Sequence, residues 1–295
     1  MKKVLVPVAL AFGLAGAAQA QMTIYGLIDA SYGKSIAMDA AGQDADIHSG
    51  GDNGSGEGNS TSRIGVKGST DVGKGIKANF KLESNGITSD GDIPSPFFGR
   101  QAWLGLSGGF GEVRLGRQDS VPFQTMAGYD FNGASNGVSS GGYSATGAWL
   151  PGRQSRSLQY ISPSMGGVTM QLGFVPKGNV TDGKNTFSAG ATYAAGPLSV
   201  SAAYESKRVN GADDFMSVAG SFDFGPAKVM LGYSDGGTNV GGVTADALAV
   251  AHVQQAVNAH LGLGSARKAD DQGRCDESLF HGCPGFRLKM IRDTD

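Results

Sequence analysis

Cysteine is nearly absent from the chain. Cys275 and Cys283 are its two cysteines, so the long stretch before residue 275 contains none. Small secreted domains that depend on disulfide bonds need many cysteines, and this class is therefore excluded. Histidine is also scarce, since His48 is the only one of four that precedes residue 250. A catalytic serine usually needs a neighbouring histidine as its base, so an enzyme is not expected.

Long apolar runs are missing from residue 21 onward, and a transmembrane helix needs about 20 consecutive apolar residues. The one apolar run before that point, Val4–Ala18, follows two lysines and ends in the small-x-small sequence Ala18-Gln19-Ala20. This arrangement is typical of a secretory signal peptide and predicts that residues 1–20 are removed after export. A retained membrane anchor is the alternative, but the run is too short to span a bilayer as a helix.

The chain also has no excess of positive charge. After residue 20 the chain has 22 lysines and arginines against 26 aspartates and glutamates. Because nucleic-acid binding needs clustered positive charge, this composition gives no case for a nucleic-acid partner.

Three segments resemble ligand-binding motifs incompletely. Residues 68–75 lack the hydroxyl that a phosphate-binding loop places after its lysine, and a strand is predicted to follow them. The acidic, glycine-rich stretch 39–61 lacks the spacing of a calcium loop. Cys275, His281 and Cys283 match no zinc-ligand spacing. We therefore expect no metal ion and no other cofactor.

Two adjoining strands in residues 62–83 alternate strictly between apolar and polar side chains. One face carries Ile64, Val66, Ile76, Ala78, Phe80 and Leu82, and the other carries Arg63, Lys67, Lys77, Asn79, Lys81 and Glu83. A face with this many charges cannot belong to a buried core. The pattern is typical of strands that have lipid on one side and water on the other.

About twelve strands can be recognised by the same alternation, at 22–32, two within 62–83, two within 100–117, and at 154–162, 167–175, 186–194, 197–205, 214–224, 226–234 and 243–250. Short turns alternate with long polar connections. This layout predicts an all-β fold, a transmembrane antiparallel β-barrel, with its long loops at one end. A water-soluble β-sandwich is the alternative, but it does not require such alternation.

Several motifs together resemble the general, non-specific porins of Gram-negative outer membranes, most closely the betaproteobacterial branch. They are Thr-Ile-Tyr-Gly-Leu-Ile-Asp-Ala at 23–30, Ser-Arg-Ile-Gly-Val-Lys-Gly at 62–68, Leu-Gly-Leu-Ser-Gly-Gly-Phe-Gly-Glu-Val-Arg-Leu-Gly-Arg-Gln at 104–118, and Tyr-Ile-Ser-Pro-Ser-Met-Gly-Gly at 160–167.

The resemblance implies a homotrimer of sixteen-stranded barrels, each narrowed by a loop that folds into its lumen. In this chain that loop is residues 118–152. The wall positions that match the family's arginine cluster are Arg63, Arg100 and Arg153, and the loop carboxylates are Asp119 and Asp130. Arg114 shares the pore-facing parity, whereas Arg117 and Arg156 fall on the outward parity near strand ends. Because wall cations outnumber loop acids, we expect weak selectivity that leans toward anions.

The implied function is passive diffusion of ions and small hydrophilic solutes across the outer membrane. The implied partners are outer-membrane lipid, lipopolysaccharide and the barrel-assembly machinery. An adhesin or phage receptor that uses loops 33–61 and 118–152 is the alternative from another class, and so is a truncated porin without function.

The end of the chain departs from the family pattern. Residues 251–295 contain no tyrosine or tryptophan, hold both cysteines, and do not end in the aromatic residue that the family uses. Residues 245–261 even have a helical character. We therefore predict a barrel over 21–250 and an atypical tail over 251–295. One hypothesis is a shift of reading frame in the encoding gene, and the alternative is a naturally divergent C-terminus.

Overall fold

The structure is a computed structural model of the 295-residue chain, and it describes residues 21–34, 44–52, 57–129, 151–178, 183–206, 214–225, 227–236 and 250–255. The strands in these segments are β1 Gln21–Leu27, β2 Ala30–Gly33, β3 Asp46–Ser49, β4 Arg63–Gly73, β5 Ile76–Glu83, β6 Gln101–Gly108, β7 Gly111–Asp119, β8 Arg153–Ile161, β9 Val168–Val175, β10 Thr186–Ala195, β11 Leu198–Glu205, β12 Phe215–Asp223, β13 Ala227–Asp235 and β14 Val250–Gln255. One α-helix, α1 Val121–Met126, continues into a 3-10 turn at Ala127–Tyr129.

Twelve of these strands form a single antiparallel sheet in the order β1, β4 and then β5 to β14. Each strand from β4 onward pairs with the next one along the chain, and β2 and β3 form a separate two-stranded sheet. The predicted all-β antiparallel fold with about twelve strands is thereby confirmed. In the described segments, no helix is long and apolar enough to cross a membrane.

The predicted strand at 22–32 is divided into two. β1 ends at Leu27, and β2 begins at Ala30 and pairs with β3 instead of continuing in the large sheet. The division falls at Asp29, whose carboxylate accepts hydrogen bonds from the backbone N–H groups of Asn59 and Ser60. These bonds tie the chain to the following loop, which the alternation of side chains alone could not show.

The two faces of the large sheet differ in character as the alternation predicts. Lys67 lies opposite Lys81 and Val66 opposite Leu82, so the register keeps polar residues together on one face and apolar residues together on the other. We call these the polar face and the apolar face. A row on the apolar face joins Leu104, Leu115 and Leu158 across three strands, exposed to 62, 60 and 41%.

A tight turn joins β4 to β5. Gly73, Lys74 and Gly75 all have positive φ angles, of 94°, 56° and 72°. Glycine adopts this region without steric cost, which explains the glycines on both sides of Lys74. Because β5 begins directly after the turn, the segment is a strand connection and lacks the helix that a phosphate-binding loop requires.

The sheet extends past the residue 250 that was taken as its boundary. β14, at Val250–Gln255, pairs with β13, whereas the predicted last strand was 243–250 and residues 245–261 had suggested a helix. The boundary was inferred from the loss of aromatic residues and glycine, but pairing depends on backbone hydrogen bonds that any residue except proline provides. Residues 1–20, 243–249 and 256–295 lie outside the described segments.

The apolar face makes a stability prediction. Replacement of Leu115 by arginine in the middle of β7 should lower the unfolding free energy in phospholipid vesicles by about 2–4 kcal/mol, the cost of a cation on a lipid-facing strand near mid-membrane. Urea unfolding measures the change. Thr169→Arg, opposite the uncharged Thr192, adds the same charge to the polar face and serves as the control. Equal losses in both variants would contradict the assignment of the faces.

Candidate functional site

A carboxylate and several cations meet on the polar face where β5 ends. Glu83 is 4% exposed, and its oxygens accept hydrogen bonds from the Tyr25 hydroxyl and from Arg100 Nε, each at 2.6 Å. Arg63 Nε lies 3.8 Å and Lys81 Nζ 3.4 Å from the same carboxylate. One acidic group therefore holds three cations and a hydroxyl together.

Strand register brings these residues to one place. Leu27 of β1 pairs with Arg63 of β4, and Gly65 pairs with both Tyr25 and Glu83. The Tyr25 ring lies over Gly65, where an added Cβ would overlap the ring. A larger residue at this glycine would displace the ring and its hydrogen bond to Glu83.

A second acidic group lies two strands further along. Asp119 Oδ1 is 3.3 Å from Arg153 Nε, and its Oδ2 accepts a hydrogen bond of 2.8 Å from Gln101 Nε2. The side-chain oxygen of Gln101, Oε1, in turn accepts a hydrogen bond from the Trp103 indole N–H. Glu83 and Gln101 are direct partners in the β5–β6 pairing, so the two groups are adjacent on the wall.

The predicted wall residues are thus brought together, but one predicted loop residue lies elsewhere. We call Arg63, Arg100 and Arg153 the arginine cluster. Arg63 and Arg100 contact Glu83, and Arg153 contacts Asp119. Asp119 was assigned to the loop, whereas it is the last residue of β7 and pairs directly with Arg153. The bulge between Gly116 and Gln118 extends the strand past the point where simple alternation ends it. Asp130 lies outside the described residues.

Two members of the site were missed as functional residues. The alternation places Glu83 on the polar face but indicates no role for it, and Tyr25 is marked in the sequence only as part of the motif at 23–30. A signal was available, because an acidic residue at the end of a strand that carries Lys77 and Lys81 on the same face would lie beside cations. The residues of β4 that lie opposite Glu83 could not be predicted, because the register between β4 and β5 depends on the geometry of the turn that joins them.

Arg114 and Arg117 lie on opposite faces of the sheet, as the alternation of side chains predicts. Arg114 lies on the polar face, where it bonds Glu112 at 2.5 Å and its guanidinium is 4.5 Å from the centroid of a Trp103 ring. Arg117 pairs with Ala102 on the apolar side and donates hydrogen bonds to the Gly99 carbonyl and the Ser155 hydroxyl at the strand ends. A rim position for Arg117 agrees with its predicted structural role.

The connection after β7 turns onto the polar face of the sheet. Ser120 caps α1, because its hydroxyl accepts a hydrogen bond from Phe123 N at 3.1 Å, and Pro122 occupies the first turn. Although it follows β7, the helix packs against β9 to β12, with Val121 fully buried.

Glycines on the wall make room for this helix. A Cβ added at Gly190 would lie 2.6 Å from Thr125 Cγ2 and 2.9 Å from Val121 Cγ1, and one at Gly173 would lie 3.1 Å from Val121 Cγ2. Met126 packs on Ala203 and Ala219, which are also small. The helix therefore fits a strip of small residues on β9 to β12.

Hydrogen bonds hold both ends of the described part of the connection. The Ser120 hydroxyl donates to the Pro151 carbonyl, and the Gln124 and Gln159 amides both donate to the Asp119 carbonyl at 2.7 Å. At the other end the Tyr129 hydroxyl is 2.6 Å from Ser199 Oγ. The segment is thus attached to the wall at the base and beyond the helix.

The chemistry of the site is that of fixed charge. Within the described segments, no group of three or more histidine, cysteine, aspartate or glutamate side chains could hold a metal ion. The arginine side chains keep 17–28% of their surface exposed. They can therefore attract or repel ions that pass along the polar face.

A family model, curated relatives and a solved structure that resemble this chain all belong to porins. The chain matches the family model of Gram-negative porins over residues 7–279. It is 33% identical over 249 residues to outer membrane porin protein 32 of Delftia acidovorans, covering 78% of this chain and 68% of that one. An outer membrane porin protein of Bordetella pertussis is 30% identical over 270 residues, covering 79% and 69%. The solved structure of an anion-selective porin from Comamonas acidovorans aligns with a TM-score of 0.60 and 27% identity, covering 80% of this chain and 73% of that one.

The fold and these relatives define a channel protein of the outer membrane and exclude an enzyme. The chain belongs to the Gram-negative porin family. The resemblance inferred from the sequence motifs is therefore confirmed, as is the outer-membrane location.

The contacts of Glu83 lead to a prediction about the stability of the protein. In Glu83→Gln the charge that neutralises Arg63, Arg100 and Lys81 is lost, and we expect the unfolding free energy to fall by about 2–3 kcal/mol, the scale of lost charged hydrogen bonds. Urea unfolding of the refolded protein measures this. Glu112→Gln removes one charge from the same face but contacts one arginine, and it should cost less. A larger loss in the control would refute the central place of Glu83.

Gly190 makes a prediction about the helix. Gly190→Leu should displace α1 from the wall, because the new side chain occupies the space of Val121 and Thr125, and chymotrypsin should then cleave near Phe123 and Tyr129 much faster. Gly220→Leu is the matched control, since a Cβ there meets its nearest atom at 3.6 Å. Equal cleavage rates in the two variants would show that the glycine strip does not hold the helix.

Proposed function

We propose that this protein is a general diffusion porin whose sheet closes around a water-filled pore for ions and small hydrophilic solutes. The observation that carries the proposal is the arginine cluster, which lies on the polar face, partly exposed, beside a connection that also packs on that face. A wall with apolar residues outside and charged residues inside suits a channel through lipid.

The charge balance of the site supports weak anion selectivity. The arginine cluster and Lys81 supply four cations, and Glu83 and Asp119 supply two acids in contact with them. The remaining positive potential acts over a Debye length of about 8 Å at physiological salt, so it favours anions without excluding cations. The similarity to a porin described as anion-selective supports the same direction.

The proposed assembly is a homotrimer in outer-membrane lipid that contacts lipopolysaccharide and is inserted by the barrel-assembly machinery. The broad apolar face supports contact with lipid and with other subunits, since side chains such as Ile24, Leu104 and Leu172 are more than half exposed. The constriction proposed for residues 118–152 rests on the described part of that segment, which lies on the polar face.

The test is the reversal potential of the purified protein in a planar bilayer under a potassium chloride gradient. We expect a modest preference for chloride in the unaltered protein. In Arg63→Gln/Arg100→Gln/Arg153→Gln, Lys81 alone remains beside Glu83 and Asp119, so the chloride preference should be lost or reversed to a slight preference for potassium. Arg117→Gln, at the rim, is the control and should keep the chloride preference. A strong cation preference, or the absence of channels, would reject the proposal.

A further inference from the structure

Two lysines face each other on the polar face, on the tight-turn side of the arginine cluster. Lys67 of β4 and Lys81 of β5 are direct partners in the antiparallel pairing, and we call them the lysine pair. Side chains at such positions have Cβ atoms about 4.5–5.5 Å apart, and like charges placed there repel each other. An unrelieved repulsion on a channel wall calls for a physical explanation.

The surroundings relieve this repulsion only in part. Both ammonium groups approach the Tyr25 ring, at 5.6 and 5.8 Å from its centroid, and Lys81 also lies 3.4 Å from Glu83. Glu83 is shared with Arg100, whose contact is shorter. Among the described residues Lys67 has no acidic partner. The pair therefore keeps an excess of positive charge.

The lysine pair borders a cavity that both polar and apolar residues line. The cavity has a volume of about 370 Å³, and its lining includes Thr23, Ser69, Asn79, Trp103 and both lysines. Its one acidic group, Glu112, already binds Arg114 at 2.5 Å and accepts a hydrogen bond from Asn79. Ser69, Asn79 and Trp103 donate their hydrogens to protein acceptors, so the cavity offers mainly the two ammonium groups and the Thr23 hydroxyl to a solute.

The cavity adjoins the arginine cluster, although none of the three arginines lines it. Lys67 is four residues beyond Arg63 on β4, toward the tight turn, which corresponds to about 13 Å along the strand. Lys81 also contacts Glu83, which Arg63 and Arg100 share, so the lysine pair adjoins the arginine cluster and continues its positive charge toward the turn.

We propose that the lysine pair forms a second anion-binding position, which takes a small oxyanion such as inorganic phosphate on the tight-turn side of the arginine cluster. The two ammonium groups hold the charge of the oxyanion, and the Thr23 hydroxyl at the edge of the cavity can donate a hydrogen bond to one of its oxygens. An anion that leaves the arginine cluster would rest there before it exits. The role in transport depends on the proposed pore, whereas the binding itself does not.

Binding can be measured without a channel, through the fluorescence of Trp103 beside the cavity. The chain has two tryptophans, so Trp149→Phe leaves Trp103 as the single reporter. In this background, refolded in detergent, sodium phosphate should change the emission in a saturable way, and sodium chloride at the same ionic strength should not. Lys67→Gln and Lys81→Gln should each weaken phosphate binding at least fivefold.

Lys77→Gln is the matched control. Lys77 lies on β5, on the same face as Lys81, but it does not line the cavity. It should leave phosphate binding unchanged, and Arg63→Gln should change it less than twofold. Equal responses to phosphate and chloride, or equal weakening by Lys77→Gln, would overturn the proposal.

Channel recordings separate this inference from the proposed function. In planar bilayers, millimolar phosphate should reduce the chloride current of the unaltered protein and affect Lys67→Gln at least fivefold less. Phosphate binding by a protein that forms no channels would reject the pore and keep the site. Channels that prefer chloride but respond to phosphate equally in both proteins would keep the pore and reject the site.

Discussion

The carboxylate of Glu83 is the interaction on which the polar face depends. Three strands and the residue that precedes β6 bring cations or a hydroxyl to this region, and without a buried acidic group the cations would repel one another across the sheet. Glu83 contacts Arg63, Lys81, Arg100 and Tyr25 at once. One carboxylate therefore holds three cations in place but neutralises only one of their charges. The remaining charge gives this part of the polar face a positive electrostatic potential.

Asp119 has the same role for the far side of the cluster, and it connects the wall to the helix. Its carboxylate contacts Arg153, while its backbone carbonyl receives the amides of Gln124 and Gln159. The charge of the wall and the position of the connection are therefore coupled through one residue. A change in the path of the chain after β7 would also move the partner of Arg153.

Much of the wall could be predicted from the sequence, because alternation with a period of two assigns each residue to a face. Arg63 and Lys67 were placed on this basis, and the register confirms that they share a face with Lys81 and Glu83. The extent of β7 could not be predicted, since a bulge shifts the period and carries Asp119 into the strand. The position of α1 depends on contacts with strands far along the chain, which no local pattern records.

The helix is placed on strands that come later in the chain than the helix itself. Val121 meets Gly173 and Gly190, and Met126 meets Ala203 and Ala219, all of which follow the connection to which α1 belongs. A connection of this kind has nothing to rest on until β9 to β12 are in the sheet. The order of assembly is therefore constrained: β9 to β12 must be in place before α1 can pack on them, so docking of the helix is a late step in folding.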